Sequence, residues 1–118
     1  MRFLIGAMGL ALLAGCANVS DTRSNPPLVS VTSSKSPQEL AECIRDGWQG
    51  IAVLGSGYGA ILQSSGNRFS VFSPDSATPW HIADVSPSNS GAAVSYHFYR
   101  TWQSPPESVI TVIKRCAT

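Results

Sequence analysis

The spacing of apolar residues changes several times along this chain, and each change marks an element. Met1 and Arg2 are followed by an apolar run from Phe3 to Ala14, broken only by Gly6 and Gly9, that ends at Gly15-Cys16. From Ala17 to Ser34 the chain carries Asn, Ser, Asp and Thr with the pair Pro26-Pro27 and few large apolar groups. Such a composition buries too little surface to offset chain ordering, so this stretch is expected to be a flexible tether. Periodicity begins at Ser36-Pro37-Gln38-Glu39, where serine suits a helix cap, proline the first turn, and glutamate can return a bond to the cap amide. Leu40, Cys43, Ile44 and Trp48 then follow the spacing of one buried helical face, and Gly47 offers a stop.

Beyond Ile51 the texture shifts to short runs rich in Val, Ile, Phe and Tyr between Gly, Ser, Asn and Pro, the mark of antiparallel strands. The runs are Gly50 to Leu54, Tyr58 to Gln63, Arg68 to Ser73, Trp80 to Val85 and Ala92 to Arg100. Ser65-Gly66-Asn67 and Ser88-Asn89-Ser90-Gly91 suit hairpin loops between them. The last segment, Ser104 to Thr118, is β-branched in composition but helical in period, since Val109, Val112, Ile113 and Cys116 recur on one helical face. Strand alternation would instead place Lys114 beside Cys116. Ser104-Pro105-Pro106-Glu107 also repeats the Ser, Pro, Glu start of the first helix.

The amino-terminal run is too short to cross a bilayer, which takes about 20 apolar residues, and it follows a single positive charge, so it reads as an export signal. Its end, Leu13-Ala14-Gly15-Cys16, resembles the lipobox of bacterial lipoproteins. That resemblance implies a diacylglyceryl group on the Cys16 thiol, cleavage before Cys16, and acylation of the new amino group. Residues 1–15 are then the signal, 16–34 the lipidated cysteine and tether, and 35–118 a single domain. Two or three acyl chains on one residue make attachment to the lipid bilayer effectively permanent, at about 0.8 kcal/mol per buried methylene. Ala17 stands where an aspartate would mark retention at the inner membrane in the Gram-negative sorting rule, which favours the outer membrane, with the periplasmic or surface face left open.

With Cys16 committed to lipid and the chain outside the reducing cytosol, Cys43 and Cys116 remain as a pair expected to form a disulfide. The fold class expected is α+β: a helix, a four- to five-stranded antiparallel sheet, and a C-terminal helix on the same sheet face, joined helix to helix by the disulfide. The chain has eight Lys and Arg against seven Asp and Glu, and one of the cations, Arg2, lies in the signal. The exported part is therefore formally neutral, and a nucleic acid or an anionic lipid surface, both of which demand a basic patch, is not an expected partner.

Some residues look like chemistry. Gly55-Ser56-Gly57-Tyr58-Gly59-Ala60 follows an apolar run as a dinucleotide fingerprint does, and Asp75 lies at a suitable distance. The fingerprint needs a helix straight after the glycines, however, and Ser64-Ser65-Gly66-Asn67 breaks the chain, so the glycines are expected to serve a hairpin or bulge and no cofactor is expected. His81, His97 and Asp84 invite a metal site or a nucleophile and base pair across adjacent strands. No motif fixes that geometry, and half-exposed strand histidines, no metal and no catalysis are the expectation. Tyr96 and Phe98 share one strand face, His97 and Tyr99 the other. If helices cover only one face, Trp80, His97, Tyr99 and Trp102 are the candidate interaction surface.

The lipobox, the polar tether, Ser36-Pro37 leading to Leu40-Ala41 and Cys43-Ile44, the helix-end Trp48, Ala83-Asp84-Val85 and the closing Lys114-Arg115-Cys116 together resemble small lipoproteins of Gram-negative bacteria. The resemblance implies architecture and location, not an activity. The function expected is a non-enzymatic envelope binding module with an envelope protein or glycan as partner. Its variants are an inhibitor or immunity protein against a lysozyme-like enzyme or toxin, and a structural accessory of an envelope assembly.

Overall fold

A computed structural model describes residues 21–53, 56, 57, 59–73 and 80–118. The signal, Cys16, the first part of the tether, Leu54, Gly55, Tyr58 and Asp75 lie outside the described residues. The elements are β1 (Val29–Ser33), α1 (Pro37–Gln49), β2 (Ala52–Val53), β3 (Ser56–Gly57), β4 (Ile61–Ser65), β5 (Arg68–Phe72), β6 (His81–Ser88), β7 (Gly91–Phe98) and α2 (Glu107–Ala117). Five strands form one antiparallel sheet in the order β1-β7-β6-β5-β4, and both helices pack on one face of it, giving the expected α+β class.

The first helix begins at the expected cap, with Glu39 returning its bond to the Ser36 hydroxyl instead of the cap amide. The Ser36 hydroxyl accepts from the Glu39 amide at 3.2 Å and donates to the Glu39 carboxylate at 3.1 Å, while Pro37 opens the first turn. Leu40, Ala41, Ile44 and Trp48 are buried against the sheet, and the Trp48 indole donates to the Val109 carbonyl on α2 at 3.2 Å. Gly47 does not end this helix, which runs on to Gln49. A Cβ at Gly47 would sit 2.4 Å from a Val112 methyl, so the glycine serves the close approach of the two helices. The second helix starts at Glu107, later than the Ser-Pro-Pro-Glu spacing suggested, and without a side-chain cap. Its buried stripe of Val109, Val112, Ile113 and Cys116 is the one the periodicity marked.

Cys43 and Cys116 are bonded, with Cα atoms 5.8 Å apart across a sequence separation of 73. Closing a loop of that length removes unfolded-chain entropy equivalent to roughly 4 kcal/mol in the simple entropic description. Lys35 donates its ammonium to the Cys116 carbonyl, covering the end of α2.

The strand pairing sets which side chains share a face. The β6–β7 hairpin turns at Asn89-Ser90, so that Ser88 pairs with Gly91 and His81 with Phe98. Pro87 is tolerated within β6 because β5 pairs only as far as Val85, leaving no strand on that side to need its missing N–H. Val71, Ala83, Val85, Val94, Tyr96 and Phe98 face the helices and form the core. Ile51 to Ala60 does not begin a βαβ unit: β2 and β3 are a short antiparallel ribbon and Ile61–Ser65 is a strand of the main sheet.

The tether is shorter than its composition suggested. Val29–Ser33 is an edge strand on β7, with Val29 opposite Tyr96 and Ser33 opposite Ala92. Val29 and Ser33 are buried and Val31 packs on the core, so alternate residues of a polar stretch find an apolar face supplied by the rest of the fold. Gly91 sits close by, with φ +143° and a built Cβ only 2.7 Å from the Ser33 and Lys35 carbonyls, so a side chain there would collide with the segment leaving β1.

Candidate functional site

The sheet face away from the helices is mostly small and polar. Pairing places Ser30, Thr32, Ala93, Ser95, Ser70, Asp84, Ser86 and His97 on it. Residues 21–24 form a helical turn that crosses this face. Arg23 donates to both Asp84 carboxylate oxygens at 3.0 Å and to Ser70 at 3.0 Å, and Ser70 donates to Asp84 at 2.8 Å. Two residues on, the Asn25 carbonyl lies 2.8 Å from His97 Nδ1 and its amide donates to the Phe98 carbonyl at 2.9 Å. Between these two fastenings lies Ile82, which is on this face and fully buried.

This arrangement answers the histidine question. His81 pairs with Phe98 and His97 with Ile82, so the two rings point to opposite faces of the sheet and cannot meet at one metal ion. His81 is not half-exposed, as expected, but buried. Its ring lies between Trp48, Tyr96 and Phe98 at centroid distances of 5.9, 5.9 and 5.4 Å, with Nδ1 2.6 Å from the Tyr96 hydroxyl. Burial pushes its pKa down from 6.5 to about 4, so it is neutral at physiological pH. Asp84 and His97 do share the open face with Ser70, but Asp84 is engaged by Arg23 and Ser70, and His97 Nδ1 by Asn25. Among the described residues no three His, Cys, Asp or Glu side chains are gathered as a metal would need.

A second region lies where β7 ends and β6 begins. After Phe98 the chain leaves the sheet, and the Tyr99 amide donates to the Trp80 carbonyl at 3.1 Å. The Trp80 and Tyr99 rings stack at 5.4 Å with an interplanar angle of 7°. The Arg100 guanidinium lies 4.6 Å from the Tyr99 ring and 4.8 Å from the Trp102 ring, so rings and cation form a continuous stack. One Arg100 nitrogen donates to Gln103 at 2.7 Å, and among the described residues Arg100 makes no ion pair. Trp102 is 76 % exposed, Trp80 46 %. Beside the stack is a cleft of about 180 Å³ lined by Asn25, Pro26, Leu28, Phe98, Arg100 and Thr101, with Leu28 52 % exposed at its rim.

Of the four surface residues expected from sequence, the fold brings Trp80, Tyr99 and Trp102 into one stack. His97 lies on the same sheet face but is half-buried under Asn25. Sequence reasoning missed Arg100, which links the rings, and Leu28, which was assigned to the tether. The signal for Arg100 was its place between Tyr99 and Trp102, where a bend in the chain brings both rings to it. No protein-family model, curated protein or solved structure matches the chain, so the geometry alone frames the functional reading.

Proposed function

We propose that this chain is a lipid-anchored lipoprotein of the Gram-negative envelope, held at the outer membrane by acyl chains on Cys16, and that its domain is a non-enzymatic interaction module. The contact surface is the stack of Trp80, Tyr99, Arg100 and Trp102, whose two tryptophans are exposed. The stack itself carries this reading. Tryptophan, tyrosine and arginine are the residue types that dominate contact energies, and here they stand together, Trp80 and Trp102 exposed and Tyr99 and Arg100 half-buried, with a cation between rings that has no carboxylate partner among the described residues. On the neighbouring open face, Asp84, Ser70 and His97 Nδ1 are occupied by one another and by Arg23 and Asn25.

The test is whether an envelope component covers this surface in place. Gln103→Cys, beside Trp102, and Asn89→Cys, at the far end of the β6–β7 hairpin, are labelled with a bulky water-soluble maleimide in isolated envelopes and in detergent. Residue 103 should react markedly more slowly in envelopes than in detergent while residue 89 is unaffected. Equal protection at both positions, or none at either, would sink the assignment of the surface. The anchor is tested separately by Cys16→Ser, which should release the folded domain from the membrane fraction.

A further inference from the structure

We propose that the aromatic end of the domain, formed by Leu28, Trp80, Tyr99, Arg100 and Trp102, seats in the headgroup region of the same bilayer that carries the Cys16 anchor. The inference rests on the lipid-anchor reading and names the partner of the surface assigned above.

The chain joins the fold beside this end. Asn25 belongs to this end: its amide holds the Phe98 carbonyl and it lines the cleft with Leu28, Phe98 and Arg100. The helical turn before it, residues 21–24, advances about 6 Å. From Cys16 to Asp21 even a fully extended backbone spans at most about 17 Å. An acyl-bearing Cys16 is therefore confined to roughly 25 Å from the aromatic end by those two lengths. The Arg23 bonds to Asp84 and Ser70 hold the preceding turn over the open sheet face, and the Asn25 bonds to β7 carry the chain from there to the aromatic end.

The groups at this end suit a headgroup layer. Tryptophan and tyrosine prefer the boundary between headgroup and acyl chain, where one part of the ring system is dry and the other wet. Arginine keeps an apolar stem along such a surface while its guanidinium reaches phosphate oxygens. Trp102, Leu28 and Trp80 are the exposed large apolar residues at this end, and Arg100 is free of carboxylate partners among the described residues. One arginine is no basic patch. Contact therefore depends on shallow insertion of apolar groups, and neutral lipid suffices, consistent with the balanced charge of the chain after residue 15.

The chain from Cys16 onward is coupled through the Cys16 thiol, the free one once Cys43 and Cys116 are bonded, to a maleimide-bearing lipid in neutral phosphatidylcholine vesicles. Tryptophan emission is compared with that in vesicles whose acyl chains are dibrominated. Trp48 is buried and serves as the internal unquenched reporter. The wild type should be quenched by bromine, equally at low and high salt. Leu28→Asp and Thr101→Glu, which keep every tryptophan, should lose most of the quenching, while Asn89→Asp at the far end keeps it. Unchanged emission in brominated vesicles overturns the proposal, as does quenching that survives both substitutions. Protection of Trp102 by peptidoglycan fragments or an envelope protein without any bilayer would give the surface to that partner instead. Because coupling is chemical, failure here is distinct from failure of the lipoprotein reading, which the Cys16→Ser fractionation decides.

Discussion

Acid should destabilise this domain through His81, and the size of the effect follows from its surroundings. The ring is 2 % exposed, enclosed by Trp48, Tyr96 and Phe98 and joined to the Tyr96 hydroxyl. In the unfolded chain it titrates near 6.5, in the fold near 4, because protonation would place a charge where water cannot solvate it. The folded pKa lies below the unfolded one, so the unfolded state takes up the proton first as pH falls. The stability associated with neutral His81 is fully present above the unfolded value and is lost as pH falls from 6.5 towards 4. The full loss is about 3 kcal/mol at 1.36 kcal/mol per pKa unit, and about 2 kcal/mol of it falls between pH 7 and pH 5. Against a total of roughly 5 to 15 kcal/mol for a domain this size, that is a large fraction.

Urea unfolding followed by the emission of buried Trp48 at pH 7 and pH 5 measures this. Other groups titrate over the same range, so the informative quantity is the difference between the wild type and His81→Phe. The variant forfeits the Tyr96 contact and should be weaker at pH 7 by about 1 kcal/mol. Its stability should then change less on acidification, by about 2 kcal/mol, so the two proteins cross between about pH 6 and pH 5.5 and the variant is the more stable at pH 5. Parallel pH profiles for wild type and variant would refute the reasoning.

Two further substitutions probe how the layers fit. Gly47→Ala adds about 1 kcal/mol of helix propensity, yet its Cβ would meet a Val112 methyl at 2.4 Å, so the net effect should be a loss of about 1 to 3 kcal/mol by urea unfolding, relieved by Val112→Ala in the same chain. A stabilised Gly47→Ala protein would show that the helices can separate at no cost. A domain beginning at Ser34 lacks β1 and exposes the core face that Val29 and Val31 cover, which should cost at least about 3 kcal/mol relative to one beginning at Asp21, read from chemical denaturation; equal midpoints would return β1 to the tether.

How much of this was legible in the sequence depends on whether a residue's role is local. Leu40, Ile44, Trp48 and Val109, Val112, Ile113 announce two buried helical faces because helix geometry makes the spacing self-sufficient. The hairpin at Asn89-Ser90 was equally plain, but its exact register was not, and it is that register which sends His81 and His97 to opposite faces where the sequence had left them free to meet. The edge strand β1 was not legible. Val29 and Val31 alternate, but two valines beside Pro26-Pro27 carry no weight until β7 offers a face and free hydrogen-bonding groups. Arg100 was missed for a related reason: its stack with Tyr99 and Trp102 depends on the chain leaving the sheet after Phe98, a tertiary bend that no periodicity records.

The same correction changes what the segment after Cys16 does mechanically. A composition-based tether of residues 16–34 would let the domain wander, and its length would set its reach. Instead the chain is engaged from Asp21 onward in stages of rising strength. Arg23 and Asp84 form a pair whose side chains are 42 % and 33 % exposed, worth no more than about 1 kcal/mol. Asn25 then adds its bonds to His97 and Phe98, and β1 is zipped to β7 over its whole length. Beyond β1, Lys35 holds the end of α2, where Cys116 is tied to α1. A pull on an anchored Cys16 would release the Arg23 turn first, freeing Asp84 and Ser70, while the edge strand and the disulfide keep the core intact. From Asp21 the linker thus belongs to the fold, and under the proposed anchor at Cys16 the short span left before Asp21 favours a domain that works against that membrane over one held out on a long spacer.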